Sequence, residues 1–209
     1  MSPPPTARCE HWQSIYGSRG AEALSWYRPH LEVSLELLRA AGLSAASRLI
    51  DIGGGASTLV DDLLALGVRN LTVLDISSRA LALARKRLDS RAVLVRWIAE
   101  DLLARALPVS GFDFWHDRAV LHFLSEPAEL AAYAQVAAEA VAPGGHALIA
   151  GFAPNGPQRC SGLPVTRRSP EQIAALLAPA FSLLQTRTEC HRTPSGAEQW
   201  FAYALLRRQ

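Results

Sequence analysis

Nine consecutive residues, Leu49-Ile50-Asp51-Ile52-Gly53-Gly54-Gly55-Ala56-Ser57, set an apolar run, a carboxylate and three glycines ahead of a second apolar stretch. Glycines accept positive φ and let a ligand approach the backbone closely. A helix opening just after them offers free N–H groups to a carboxylate or phosphate. A tight strand-to-helix turn that binds nothing uses the same residues, so the motif has to be read with its neighbours. The next apolar run ends Val73-Leu74-Asp75-Ile76, about twenty residues past the glycines, where a carboxylate can accept from both hydroxyls of an adenosine ribose. The alternative role for Asp75 is a helix cap, in competition with Ser77 and Ser78. Together the two features describe a nucleoside-binding crevice.

A polar cluster stands further along, in Phe112-Asp113-Phe114-Trp115-His116-Asp117-Arg118, with His122 shortly after. In an open parallel sheet ligands sit beyond the carboxyl ends of the strands, so His116, Asp117, Arg118 and His122 are the side chains nearest the reacting group. His116 and His122 are candidates for a base, and Asp117 for orienting an acceptor. An ion pair for Arg118 and a core position for His122 are the competing structural roles. Cys160 lies in a Pro/Gly-rich loop, where a reactive thiol and a plain buried cysteine are the two readings. Cys190 and His191 lack metal-ligand spacing, and no metal is expected.

The elements that must position these residues alternate. Leu31–Ala41 carries helical periodicity stopped by Gly42. Strand-like runs follow at Leu49–Ile52, Leu71–Leu74, Val93–Ile98, Phe112–Trp115 and Ala147–Phe152. Helices are predicted between them at Thr58–Leu66, Ser78–Leu88 and Pro127–Val141, the last ended by Pro143-Gly144-Gly145. That rhythm predicts a parallel sheet with helices on both faces. After a helix at Pro170–Leu177, Phe181–His191 and Gln199–Leu206 flank a turn at Pro194-Ser195-Gly196 and should pair as an antiparallel hairpin at one sheet edge. The expected fold is therefore α/β, a Rossmann-like seven-stranded sheet, mostly parallel with a C-terminal antiparallel hairpin. The first ten residues, with their Pro3–Pro5 run, are expected to be disordered, leaving residues 11–209 as a single domain.

Length and composition agree with one domain: 209 residues, 49% hydrophobic and 19% charged. With 21 basic and 19 acidic residues the net charge is +2, and the basic residues are scattered, which gives no nucleic-acid surface. No apolar run is long enough to span a membrane, and the N-terminal residues lack the apolar core of a secretory signal. Three cysteines without CxxC spacing point to a reduced, cytoplasmic enzyme. Oligomeric state is not encoded in any of these features.

Three details separate a dinucleotide fold from its alternative. Thr58 stands where the dinucleotide pattern has its third glycine, Asp51 has no obvious use in that pattern, and the terminal hairpin is foreign to a second dinucleotide-binding half. From Trp12 to Arg208 the chain resembles the class I S-adenosylmethionine-dependent methyltransferases. That resemblance implies S-adenosyl-L-methionine as cofactor, with Asp51, Gly53, Gly54 and Gly55 at its methionine end. It further implies Asp75 on the ribose, Ile76 against the adenine, Asp101 accepting from the adenine amino group and the Leu102 backbone beside it. Ser57 departs from the family's glycine pattern, so the loop there can sit differently. The aromatic segment with Trp12, Tyr16 and Trp26 corresponds to a helical lid, residues 11–42, with packing of the Leu31–Ala41 helix as the plainer alternative. The implied reaction is methyl transfer to a small-molecule thiol, chalcogen, amine or hydroxyl, with Arg118 and Cys160 near the acceptor. A protein lysine methyltransferase is the second reading, and a nucleotide-dependent oxidoreductase or an inactive binding module are more distant ones.

Overall fold

The computed structural model describes residues 5–18 and 20–209. Strands β1 (Arg48–Ile52), β2 (Asn70–Asp75), β3 (Val95–Ala99), β4 (Phe112–Arg118) and β5 (Val141–Phe152) pair in parallel, in the order β3-β2-β1-β4-β5. The two-residue strands β6 (Arg159–Cys160) and β7 (Leu163–Pro164) form a small separate hairpin. Strands β8 (Phe181–Arg192) and β9 (Glu198–Arg208) form the C-terminal one. β9 inserts antiparallel between β5 and β8 and completes a seven-stranded sheet. The Rossmann-like α/β expectation holds.

Side-chain alternation along each strand divides the core between the two faces. Leu49, Phe114, Leu148, Phe152, Phe201 and Tyr203 belong to one face, under helices α2 (Glu32–Ala40), α3 (Leu59–Ala65) and α4 (Ser78–Leu88). Ile50, Ile52, Trp115, Ile149 and Leu206 belong to the other, under α5 (Pro127–Ala140) and α6 (Pro170–Leu177). This period of two sends Asp51, His116 and Arg118 toward the first face and Asp117 toward the second. The sheet register pairs Asp51 directly with His116.

Three expectations about elements are corrected. Helix α1 covers Pro5–Ser18, so residues 5–10, expected to be disordered, are helical; residues 1–4 lie outside the described residues. Tertiary contacts explain it: the Arg8 guanidinium bonds Asp101, and the Gln13 side chain bonds Ser77, Ser78 and the Arg79 backbone. The Pro143-Gly144-Gly145 stretch does not precede β5 but lies within it as an irregularity, with Phe112 facing Val141 and Phe114 facing His146. Gly144 at φ +79° supplies the bend. Val93 and Leu94 fall in a 3-10 turn (Asp89–Leu94) rather than in β3, where the Trp97 indole donates to the Ala92 carbonyl at 3.0 Å.

Candidate active site

A cleft opens beyond the carboxyl ends of β1, β2, β3 and β4 and is roofed by α1 and the segment after it. Its empty volume, counted out into the open mouth, is about 1370 Å³.

At one end, β1 delivers Asp51 and turns through the glycines. Gly53 (φ +64°) has no room for a side chain, since a Cβ would stand 2.1 Å from Val120 Cγ2. Gly54 also lines the cleft, whereas Gly55 (φ +39°) sits behind it, where a Cβ would come 2.6 Å from Asp75 Oδ2. The buried Asp51 carboxylate is held by His116 Nδ1 at 2.7 Å, and His116 Nε2 meets Ser34 Oγ of α2 at 2.9 Å. His116 therefore has both ring nitrogens engaged. It is a positioning residue for Asp51, with no lone pair free to take a proton from a substrate.

Asp75, at the end of β2, accepts from the Ser77 backbone N–H at 2.7 Å, while Ser77 Oγ caps α4 by accepting from Ala80 N. The capping role considered for Asp75 thus falls to Ser77. Burial, offset in part by the Ser77 N–H and reinforced by the nearby Asp51 charge, pushes the Asp75 carboxyl up to about 7. Ile76 and, after β3, Asp101 and Leu102 complete this end of the cleft. Asp101 Oδ1 accepts from Leu103 N at 2.9 Å and its Oδ2 from Arg8 Nη2 at 3.1 Å, which ties α1 to this loop.

Asp117 does not join the cleft. Its carboxylate points to the opposite face of the sheet, accepting from Val120 N at 2.7 Å, Leu121 N at 3.0 Å and the Tyr133 hydroxyl at 2.6 Å. Burial raises it to about 6 despite those three donors. The expectation that Asp117 orients an acceptor is corrected to a structural role, knitting the β4 turn to α5.

His122 does line the cleft and is fully buried. Burial, with the Arg118 and Arg168 charges, drives it down to about 3, so the ring is neutral. Its Nδ1 accepts from Phe152 N–H at 3.4 Å, which leaves the proton on Nε2, and Nε2 has no partner among the described residues. In this tautomer His122 is a donor rather than a base. Arg118 lies with its guanidinium carbon 4.1 Å over the Phe201 ring. Its Nε donates to Tyr203 Oη at 3.1 Å and its Nη1 to the Trp26 carbonyl at 3.3 Å. Cys160 lines the cleft, but burial pushes its thiol up to about 12, so it stays protonated.

Overhead, Trp12 packs edge-on against Trp26 (5.8 Å) and Phe123 (5.2 Å), and Tyr16 against Trp26 (6.2 Å). Among the described residues no cluster of three or more His, Cys, Asp and Glu side chains stands close enough to hold a metal, and no helix is long and apolar enough to cross a membrane. Several lining residues had no sequence signal: Phe152, Phe201 and Arg8. Ser34 had one, a polar residue inside the apolar stripe Leu31, Leu35, Leu38 of a helix.

A methyltransferase domain family model matches residues 50–147. The eEF1A lysine and N-terminal methyltransferase homolog of Drosophila melanogaster is 27% identical over 121 residues, 56% of this chain and 17% of that protein. The chain thus spans about a sixth of the length of the curated relatives it matches. A solved structure described as "Conversion of a Disulfide Bond into a Thioacetal Group during Echinomycin Biosynthesis" superposes with a TM-score of 0.75 at 20% identity, covering 96% of this chain and 91% of its own. The 1,6-didemethyltoxoflavin-N1-methyltransferase of Burkholderia thailandensis, with bound 1,6-didemethyltoxoflavin and S-adenosylhomocysteine, gives 0.71 at 20% identity over 99% of this chain and 91% of its own.

Proposed function

We propose that this chain is a class I S-adenosylmethionine-dependent methyltransferase, that it moves a methyl group to a small-molecule nucleophile and that it works as a cytoplasmic enzyme. The single observation that carries the small-molecule reading is the shape of the cleft, roofed by α1 and closed at its far end by Phe152, Phe201 and Cys160. The residues present fit the cofactor: Gly53 and Gly54, which leave backbone open to the cleft, and two buried carboxylates, Asp51 and Asp75, all line one space. When bound, S-adenosylmethionine supplies a methyl on a positive sulfur; as the acceptor–carbon bond forms the sulfur–carbon bond breaks, and the electron pair stays on sulfur.

Everything else is positioning by this chain. Asp51, held by His116, which Ser34 in turn holds, offers a fixed negative charge to the amino-acid end, and Gly53 and Gly54 allow the backbone to come close. Asp75 accepts from the ribose hydroxyls, Ile76 packs on the adenine, and Asp101 with the Leu102 backbone meets the adenine edge. The roof of residues 11–42, extended by the first turns of α1, excludes water, and Trp12, Tyr16 and Trp26 favour a sulfonium by their ring faces. With His116 doubly bonded, Asp117 on the other face and His122 a donor, no side chain of this set is a ready general base. The nucleophile must therefore carry its own lone pair, as a thiolate, a neutral amine or an ionised oxygen does.

The match to eEF1A lysine methyltransferases favours a second reading, transfer to a protein lysine. Against it stands Arg118, whose charge lines the cleft that a lysine ammonium would enter. Purified protein and labelled S-adenosylmethionine, added to cell lysate separated into small-molecule and protein fractions, decide between them. Label in the small-molecule fraction supports the proposal. Acid-precipitable label transfers it to the lysine reading.

A further inference from the structure

Two donors at the far end of the cleft are poised for a partner that the protein does not provide. Arg118 is held by Tyr203, the Trp26 carbonyl and the Phe201 ring, yet its Nη2 makes no hydrogen bond and stands 4.0 Å from the nearest carboxylate oxygen, Glu189 Oε2. Glu189 is already engaged, by Arg28 at 2.7 Å and by the Tyr203 hydroxyl at 2.6 Å. His122 presents the second donor, a buried Nε2–H without an acceptor. Leaving a buried donor unmade is costly, and leaving two on residues that line one cleft is the signature of a site whose acceptor arrives with its ligand.

Charge points the same way. Arg28 and Arg118 line this end with Arg168 behind His122, and Glu189 and Glu32 are the carboxylates set against them, both bonded by Arg28. Arg168, close behind His122, bonds only the Leu121 and Leu124 carbonyls among the described residues, so its charge is unneutralised. Asp51 and Asp75 sit at the other end of the cleft, where a cationic cofactor would balance them.

Resting on the methyltransferase reading above, the geometry points to an organic anion as the acceptor substrate: a small molecule carrying a carboxylate or ionised oxygen that Arg118 Nη2 and His122 Nε2–H bind. The anion is the anchor. The methylated atom is a different position on the same molecule, turned toward the cofactor end.

The test loads the protein with S-adenosylhomocysteine and titrates 1-naphthoate against its neutral isostere 1-naphthamide, by calorimetry. The expected result is naphthoate binding at least tenfold tighter than the amide, with Arg118→Met bringing the two within about twofold while S-adenosylhomocysteine affinity stays within about threefold. Equal binding of acid and amide to the loaded wild type overturns the inference, as does a preference that survives Arg118→Met. If that variant fails to bind S-adenosylhomocysteine, His122→Phe is read in its place: a reduced preference supports the assignment, an unchanged one overturns it. Failure of the wild type to bind S-adenosylhomocysteine at all is a different outcome, and it is the methyltransferase reading that then falls.

Discussion

Asp75→Asn is the substitution with the most to say. In the free protein burial lifts the Asp75 carboxyl to about 7, so near neutrality about half of the molecules carry it protonated. Ribose hydroxyls donate to the ionised form and lower that pKa, so cofactor binding expels a proton. The sign follows: affinity rises with pH through the window and levels off above about 8. Each pH unit well below 7 costs about 1.4 kcal/mol, so between pH 8 and pH 6 the Kd for S-adenosylhomocysteine should increase about tenfold. Asn keeps the shape and one acceptor but no charge. Loss of a charge-assisted bond of about 1.5–3 kcal/mol predicts a Kd about 10–150-fold weaker at pH 8, and one flat between pH 6 and 8. Calorimetry in two buffers of different ionisation enthalpy reads both the affinity and the proton released. A raised carboxyl pKa also means that Asp75 weakens the free fold as pH rises from about 4 toward 7, so Asp75→Asn should raise the Tm of the cofactor-free protein at pH 8. A wild-type Kd identical at pH 6 and 8 with no proton released, or a variant that binds as tightly as wild type, refutes the assignment.

Other substitutions probe neighbouring contacts. Gly55→Ala forces a Cβ to within 2.6 Å of Asp75 Oδ2 at a φ of +39°, and should cut S-adenosylhomocysteine affinity at least about a hundredfold while far-ultraviolet circular dichroism is retained. Asp117→Ala strands three donors on the far face of the sheet and should cost about 2–4 kcal/mol in urea unfolding, with the folded fraction still binding S-adenosylhomocysteine; normal stability with lost binding would contradict its structural role. Arg8→Ala unties α1 from Asp101 and should speed S-adenosylhomocysteine dissociation several-fold in stopped-flow fluorescence, through the nearby Trp12.

The strand–helix rhythm was legible because each buried strand of the parallel part is a short β-prone run, and helices α2 and α3 are ended by a glycine while α4 and α6 are capped by a serine, all local features. Asp51, the glycines and Asp75 were legible for a similar reason: one tight turn and one strand end carry them. What stayed hidden depends on partners distant in sequence. Helix α1 has almost no amphipathic pattern and stands on contacts from Arg8 and Gln13 to residues about 65 to 95 positions away. His116 and Asp117 are adjacent in sequence and similar in chemistry, yet strand alternation sends them to opposite faces. Only the alternation carried through to Arg118 at the end of β4 separates them. The state of His122 was hidden as well, since its tautomer is fixed by the backbone N–H of Phe152, thirty residues on.

The cleft is divided along the chain as well as in space. Asp51, Gly53, Gly54, Asp75 and Asp101 come from the first three strands and the turns that follow them, whereas Phe152 and Phe201 face each other across the β5–β9 pairing. Cleft-facing positions of β5 and β9 can therefore be varied while the turns proposed to meet the cofactor keep their sequence. On the reading proposed above, acceptor preference is set jointly by Phe201, the loop holding Cys160, and Arg118 and His122 at and just after the end of β4, and a library confined to those positions is the economical way to redirect it.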